Sequence, residues 1–439
     1  MTSTLRALLG ATALCATAGV ALAESHATTI TIATVNNGDM IRMQGLTPEF
    51  NALHPDITLE WVVLEENVLR QNVTTDIATR GGQYDVMTIG TYEVPIWGAQ
   101  GWLTSLNDLP SEWDIDDLLP AIRGGLTVDG ELYAAPFYGE SSMVMYRTDL
   151  MEAAGLEMPD APTWEFIRTA AEAMTDRDNE VYGICLRGKA GWGENGAFLT
   201  AMANSFGARW FDENWQPQFD SPQWAATIDF YLDLMTNFGP PGASANGFNE
   251  NLTLFQQGKC GMWIDATVAA SFVTGADSTV ADSVGFALAP DNGLGKRGNW
   301  LWAWSLAIPE TSDSIDAAKI FVAWATSKEY TALVAANEGW ANVPPGTRSS
   351  LYANPEYQAV PFAQMTLDSI NSADPTNPTV DPVPYVGVQF VAIPEFQGIG
   401  TAVGQEFSAA LAGQKTAAEA LAAAQELTLQ EMTNAGYIQ

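Results

Sequence analysis

Two histidines, three cysteines and 52 acidic residues bound the chemistry open to this chain of 439 residues. His26 stands near the start and His54 precedes Pro55 at a helix end, so a Ser-His-Asp or Cys-His relay has almost no candidate base. Zinc loses its commonest ligand for the same reason. No nucleophile elbow and no phosphate loop occur. A literal G-x-G-x-x-G at Gly293, Gly295 and Gly298 runs into an apolar β-prone stretch, Trp300 to Ile308, instead of a helix, and so reads as a turn. Asp176, Asp178 and Glu180 alternate like a calcium loop, but Val181 stands where the loop needs Gly and Arg187 where it needs Glu. Cys185 and Cys260 match no metal spacing; they read as two small buried thiols, with a bridge as the alternative. Neither metal nor cofactor is expected.

Binding chemistry fares better. Adjacent acids such as Glu65-Glu66 and Asp116-Asp117 could serve a glycosidase as acid and base, yet pairs of this kind arise by chance in so acidic a chain. Of the 15 tryptophans, Trp97, Trp192, Trp263, Trp300, Trp302 and Trp340 sit in loops or beside polar residues. An aromatic face packs on the C–H face of a sugar, while carboxylates accept charge-assisted bonds from hydroxyls worth about 1.5–3 kcal/mol each. A few such contacts support micromolar affinity, which needs about −8.2 kcal/mol. Core packing is the plainer use of a tryptophan, above all for Trp263 and Trp302 in strand-like runs. The net charge of −34 repels phosphate backbones and anionic lipid, which excludes nucleic acid and points to a neutral or cationic solute.

The elements that must position these groups follow an α/β grammar. Runs at Thr28 to Val35, Ile57 to Leu64 and Asp85 to Ile89 each end in a polar loop, Asn36-Asn37, Glu65-Glu66 and Gly90 to Glu93, and each is followed by a helical pattern such as Leu69, Val73 and Ile77. Strands alternating with helices imply a parallel sheet whose ligands lie beyond the carboxyl ends of the strands. The stretch Leu132 to Gly155 instead holds two β-prone runs joined by a polar segment, Tyr138 to Ser142, and reads as an exposed crossing between two sheets, with a cleft beside it. Helices are expected at Trp164 to Met174 behind the cap Thr163, after Ser221-Pro222, after Ser314 and Ser327, and behind the capping box Thr416 to Glu419. Strands are expected at Val181 to Leu186, Cys260 to Ile264 and Val284 to Ala289, and loop at Asp374 to Pro384. Residues 1–23, with Arg6, the apolar Leu8 to Leu22 and the cleavage pattern Ala21-Leu22-Ala23, read as a secretory signal peptide.

The chain resembles the bacterial extracellular solute-binding protein family 1, the carbohydrate receptors of ATP-binding cassette importers. The resemblance rests on Pro136-Phe137 with the following apolar run and Tyr146, on Gly258-Lys259 with Met262 to Asp265, on Ala307-Ile308-Pro309, and on Pro344-Pro345 with Arg348. Arg147 stands where family members commonly carry Asn or Asp. The runs Glu65 to Arg70 and Gly90 to Trp97 look like the sorbitol/mannitol-binding branch.

The resemblance implies an α/β, type II periplasmic-binding fold of two lobes, each a mainly parallel sheet flanked by helices. Lobe one would be residues 24–136 plus 290–345, and lobe two 137–289 plus 346–439. A periplasmic monomer would close on a neutral polyol and deliver it to a membrane permease, without turnover. Candidate ligand contacts are Asn37, Glu66, Tyr92 and Glu93 from lobe one, Tyr138 and Glu140 beside the hinge, and Trp192, Trp263, Asp265, Trp302, Trp340 and Arg348. A polyamine or quaternary amine caged by carboxylates and aromatic rings is the rival ligand.

Overall fold

The structure, a computed structural model, describes residues 27–438. The expected signal peptide and His26 lie outside the described residues. No described helix is long and apolar enough to cross a membrane.

Strands β1 (Thr28–Val35), β2 (Ile57–Leu64) and β3 (Val86–Ile89) form where the alternation of β-branched and polar residues placed them. β1 pairs parallel with both β2 and β3. The helix Glu66–Thr79 covers this sheet through buried Leu69, Val73 and Ile77. A two-residue hairpin, β4 (Thr127–Val128) and β5 (Glu131–Leu132), precedes β6 (Ala135–Glu140) and β7 (Ser142–Arg147). β8 (Met262–Ala266), β9 (Val284–Leu288) and β10 (Trp302–Ala307) complete the strands.

Besides the β4-β5 hairpin two larger sheets result, in the orders β2-β1-β3-β10-β6 and β8-β7-β9. The first is parallel at one end and antiparallel at β10 and β6. In the second, β7 runs antiparallel to both neighbours, so the expectation of a mainly parallel sheet in each lobe is corrected there. The central strand β7 precedes β8 and β9 by more than a hundred positions, so no βαβ crossover joins it to either neighbour and forces it parallel.

The crossing lies where expected, but its character differs. β6 belongs to the first sheet and β7 to the second, and Ser141 alone separates them. The polar residues Tyr138 to Ser142 are buried β structure and not an exposed loop, because β10 pairs with Tyr138 to Glu140 and Thr267 holds Ser141 from both sides. Beside them the backbone of Gly346, in the left-handed region at φ +71°, approaches Gly139 so closely that a Cβ on either would meet the other's carbonyl oxygen. Gly139 N–H donates to Pro345 O at 2.9 Å. Between β9 and β10 the chain returns to the first sheet past Gly293 and Gly295, which have positive φ and make the expected turn.

Helices Trp164–Met174, Pro222–Phe238, Ile315–Ala325 and Lys328–Glu338 form as predicted, and so does the capping box at Thr416. The expected strand at Val181 to Leu186 is instead an extended segment joined to β8 by single bridges, Tyr182 to Cys260 and Cys185 to Trp263. Those bridges correct the reading of free thiols. They bring Cys185 and Cys260 within 5.8 Å at Cα, and a disulfide joins them.

Candidate functional site

The ends of β1, β6 and β10, the start of the helix Glu66–Thr79, and the turn Trp192–Gly196 converge on one small cavity. Its walls come from elements of both sheets. Six of the sequence candidates line it: Asn37, Glu66, Tyr138, Glu140, Trp192 and Trp302. Asn37 holds the N-cap position of the helix Gly38–Gly45, yet its side chain does not cap; Nδ2 donates to Tyr138 Oη at 3.0 Å.

Two arginines organise the walls, and the sequence reading missed both. On the side of the first sheet, Arg70 donates to Glu66 at 2.8 Å and to Glu93 at 2.6 Å. Its guanidinium lies 4.0 Å from the Trp192 ring, 4.7 Å from Trp304 and 4.9 Å from Trp302, so three indoles cage it. On the other side, Arg187 donates to Asp265 at 2.6 Å and to the Gly193 carbonyl at 2.9 Å, with Glu194 at 3.4 Å. Phe248 and Trp300 flank it at 5.3 and 5.5 Å. Each arginine is thus clamped by two carboxylates, fixed before any ligand arrives.

Several polar groups on the walls lack a protein partner. The Glu140 carboxyl accepts no hydrogen bond from any described residue, Glu66 uses only Oε1, and the buried Trp302 Nε1 is unpartnered. Burial raises the Glu140 carboxyl well above the ordinary carboxylate range; Arg187 pulls it back, while Asp265, Glu66 and Asp39 push further. Burial likewise moves Glu194 up to about 8 and Asp39 to about 6, each against a neighbouring arginine.

The other six candidates do not line the cavity. Glu93 and Asp265 stand behind it and hold the arginines; Asp265 also accepts from Trp263 Nε1 at 3.0 Å. Trp263 is core, packed on Phe248 and Phe255. Tyr92 packs edge-on to Trp192 and donates to Ile393 O at 3.0 Å, so it backs the aromatic wall and braces the last third of the chain. Trp340 lies half-buried in the short turn Trp340–Asn342, away from the site. Arg348 is buried over Trp113 and donates to Asp114 O and Thr326 O, a brace between loops.

Arg70 was legible in principle, because Glu66 precedes it by one helical turn. Arg187, Phe248 and Gln389 carried no local pattern. Among the described residues no His, Cys, Asp and Glu cluster could hold a metal ion.

Contacts across the cleft close the site. Lys189 Nζ meets Glu65 at 2.7 Å, Asn67 Nδ2 donates to Ala190 O at 3.2 Å, and a Cβ on Gly193 would meet Glu66 Oε1.

Residues 37–332 match the family model described as bacterial extracellular solute-binding protein. The chain is 56% identical to the mannitol-binding protein of Pseudomonas aeruginosa over 438 residues, with both chains fully covered. An ABC transporter solute-binding protein from Agrobacterium vitis, solved with bound D-mannitol, is 72% identical at TM-score 0.93 and covers 94% of this chain and 100% of its own. Another from Agrobacterium radiobacter, in complex with ribitol, is 25% identical at TM-score 0.81, over 92% of this chain and 98% of its own. The two-lobed type II periplasmic-binding fold expected from the resemblance is the fold of these neighbours. By its sequence, its fold and the cleft between its sheets, the chain belongs to the bacterial extracellular solute-binding protein family.

Proposed function

We propose that this protein is the receptor of an ATP-binding cassette importer, closing on a linear sugar alcohol of the mannitol type and presenting the closed form to a membrane permease. One observation carries the ligand class: a small cavity whose wall presents the buried Trp302 indole N–H without a partner beside the Glu140 carboxyl, set between aromatic faces. An unpaired buried polar group costs about 1–3 kcal/mol, and the alternating hydroxyls and C–H faces of a polyol would satisfy such groups. The mannitol and ribitol bound by its relatives support the same class.

In this reading Asn37, Glu66, Arg70, Tyr138, Glu140, Arg187, Trp192, Trp300 and Trp302 touch ligand, while Glu93, Asp265 and Tyr92 position them. Lobe one is then residues 27–140 and 290–345 and lobe two residues 141–289 and 346–438, the expected boundary at 136 moving to the end of β6 because β6 pairs with β10 as far as Glu140. Contacts from both lobes exist together only in the closed form, so ligand shifts the population toward it. The chain works as a periplasmic monomer.

Calorimetric titration with D-mannitol, D-sorbitol, ribitol, maltose and putrescine tests the proposal. Saturable binding of a hexitol at micromolar Kd or tighter is the expected result. Binding of putrescine or maltose, with no heat from any polyol, would overturn it.

A further inference from the structure

The carboxyl of Glu140 is the polar group of the cleft that the charge pattern leaves unaccounted for. It ends β6 opposite Trp302 of β10, is buried, and meets no donor among the described residues. The groups that face it are mostly acidic: Tyr138 on its own strand, Asp39 on the helix Gly38–Gly45, Glu66 on the helix Glu66–Thr79, and Asp265 on β8. The nearest cation is Arg187, whose Nε, Nη1 and Nη2 already donate to Asp265, Gly193 O and Glu194. Arg70 is engaged by Glu66 and Glu93. The other elements packed on β6 bring no free cation, and their unpaired carboxylates, Asp316 and Asp368, are exposed. The turn Thr267–Ala269 has no titratable side chain, Arg123 pairs with Asp116, and Lys319 pairs with Asp108. A second carboxylate beside Glu66 therefore has neither counter-charge nor water-like solvation when the lobes close.

Resting on the polyol reading above, we propose that Glu140 works as a neutral carboxylic acid, giving its O–H to a ligand hydroxyl, so that binding takes up a proton. A hydroxyl both donates and accepts, and a protonated carboxyl matches it with one donor and one acceptor. Burial acts on Glu140 in the same direction. The proton comes from solvent as the lobes close and returns when they open. A carboxyl solvated in the open form titrates near its ordinary value, about 4.3. Between that value and the raised one of the closed form, each pH unit then weakens affinity about tenfold, the linkage expected for one proton.

The test is calorimetry of the intact mature protein with D-mannitol in phosphate and in Tris, whose ionisation enthalpies differ, at pH 6, 7 and 8. Uptake of at least about half a proton per ligand at pH 7, with Kd rising at least about fivefold from pH 6 to 8, is the expected result. Glu140→Gln keeps a donor and an acceptor without the charge. It should lower the uptake and flatten the pH slope, leaving only what the other raised carboxyls, Glu194 and Asp39, contribute, and at pH 8 bind mannitol more tightly than the parent. Heat that is the same in both buffers, with Kd flat or falling as pH rises, overturns the neutral acid while leaving the polyol reading intact. No binding of any polyol sinks both. Should that variant fail to fold, Glu194→Gln decides the question: uptake and pH slope that persist in it support Glu140, and their loss overturns the assignment.

Discussion

Gly38→Ala separates lobe stability from lobe closure. Gly38 opens the helix Gly38–Gly45 on the first-sheet side, beside Asn37 and outside the cavity lining. A Cβ added there would lie 2.2 Å from Cζ of Phe272, which belongs to the short helix Ala270–Val273 next to β8. Arg42, one turn further along the same helix, holds the other side of that ring at 5.6 Å. Either the end of the Phe272 side chain shifts, giving up its contact with Arg42, or the cleft rim parts to reach ordinary contact. Overpacking of this kind costs about 1–3 kcal/mol, which is roughly fivefold to 150-fold in Kd. In the open form the methyl group meets solvent, and alanine is the better helix former by up to about 1 kcal/mol. The expected pattern is weaker mannitol binding by calorimetry with an unchanged or higher melting temperature of the ligand-free protein. Affinity within twofold of the parent would refute the argument that this contact belongs to the closed form.

Lys189→Met removes the half-exposed pair with Glu65 across the cleft rim; affinity should fall by no more than about fivefold, through a faster off-rate in stopped-flow, and its salt dependence should shrink. Arg187→Lys keeps the charge but cannot span Asp265, Gly193 O and Glu194 at once. At least a tenfold loss in calorimetric affinity is expected, following the roughly 1.5–3 kcal/mol of a charge-assisted bond. Replacing Cys185 and Cys260 by serine opens a loop with a sequence separation of 75 and should lower stability by about 2–4 kcal/mol in urea, while mannitol Kd changes little. Equal urea midpoints for parent and variant would remove the disulfide from the stability argument.

What the sequence disclosed and what it hid divide along sequence distance. β1, β2 and the helices behind Thr163, Ser221 and Ser327 follow from periods and caps that a few neighbouring residues carry, and they form at the expected places. The crossing at Tyr138 to Ser142 was legible as a change of sheet because its two runs differ in company, but its burial was not: the covering residues, Thr267, Pro345 and Trp302, lie more than a hundred positions away. The antiparallel second sheet and the disulfide were hidden for the same reason. In the cleft, acids and tryptophans stood out by type, yet type alone could not separate Glu66, which faces the cavity, from Glu93, which faces Arg70 behind it.

The clamped arginines explain why an acidic chain builds its cleft this way. A guanidinium left free on each lobe would be mobile and hydrated, and ordering it on binding would cost about 0.5–1.5 kcal/mol per side chain. Glu66 with Glu93 on the side of the first sheet, and Asp265 with Glu194 on the other, fix the two arginines, with Trp302 and Trp304 against the plane of Arg70 and Phe248 against that of Arg187. The ordering cost of each arginine is then met during folding and not on binding. Four carboxylates against two guanidinium groups leave an excess of negative charge that grows when the lobes meet. A further ionised carboxylate at Glu140 would oppose closure, whereas a neutral acid there would not. The same arrangement that organises the donors therefore forces the question of the Glu140 proton, and it makes closure, more than either lobe's fold, the step that pH controls.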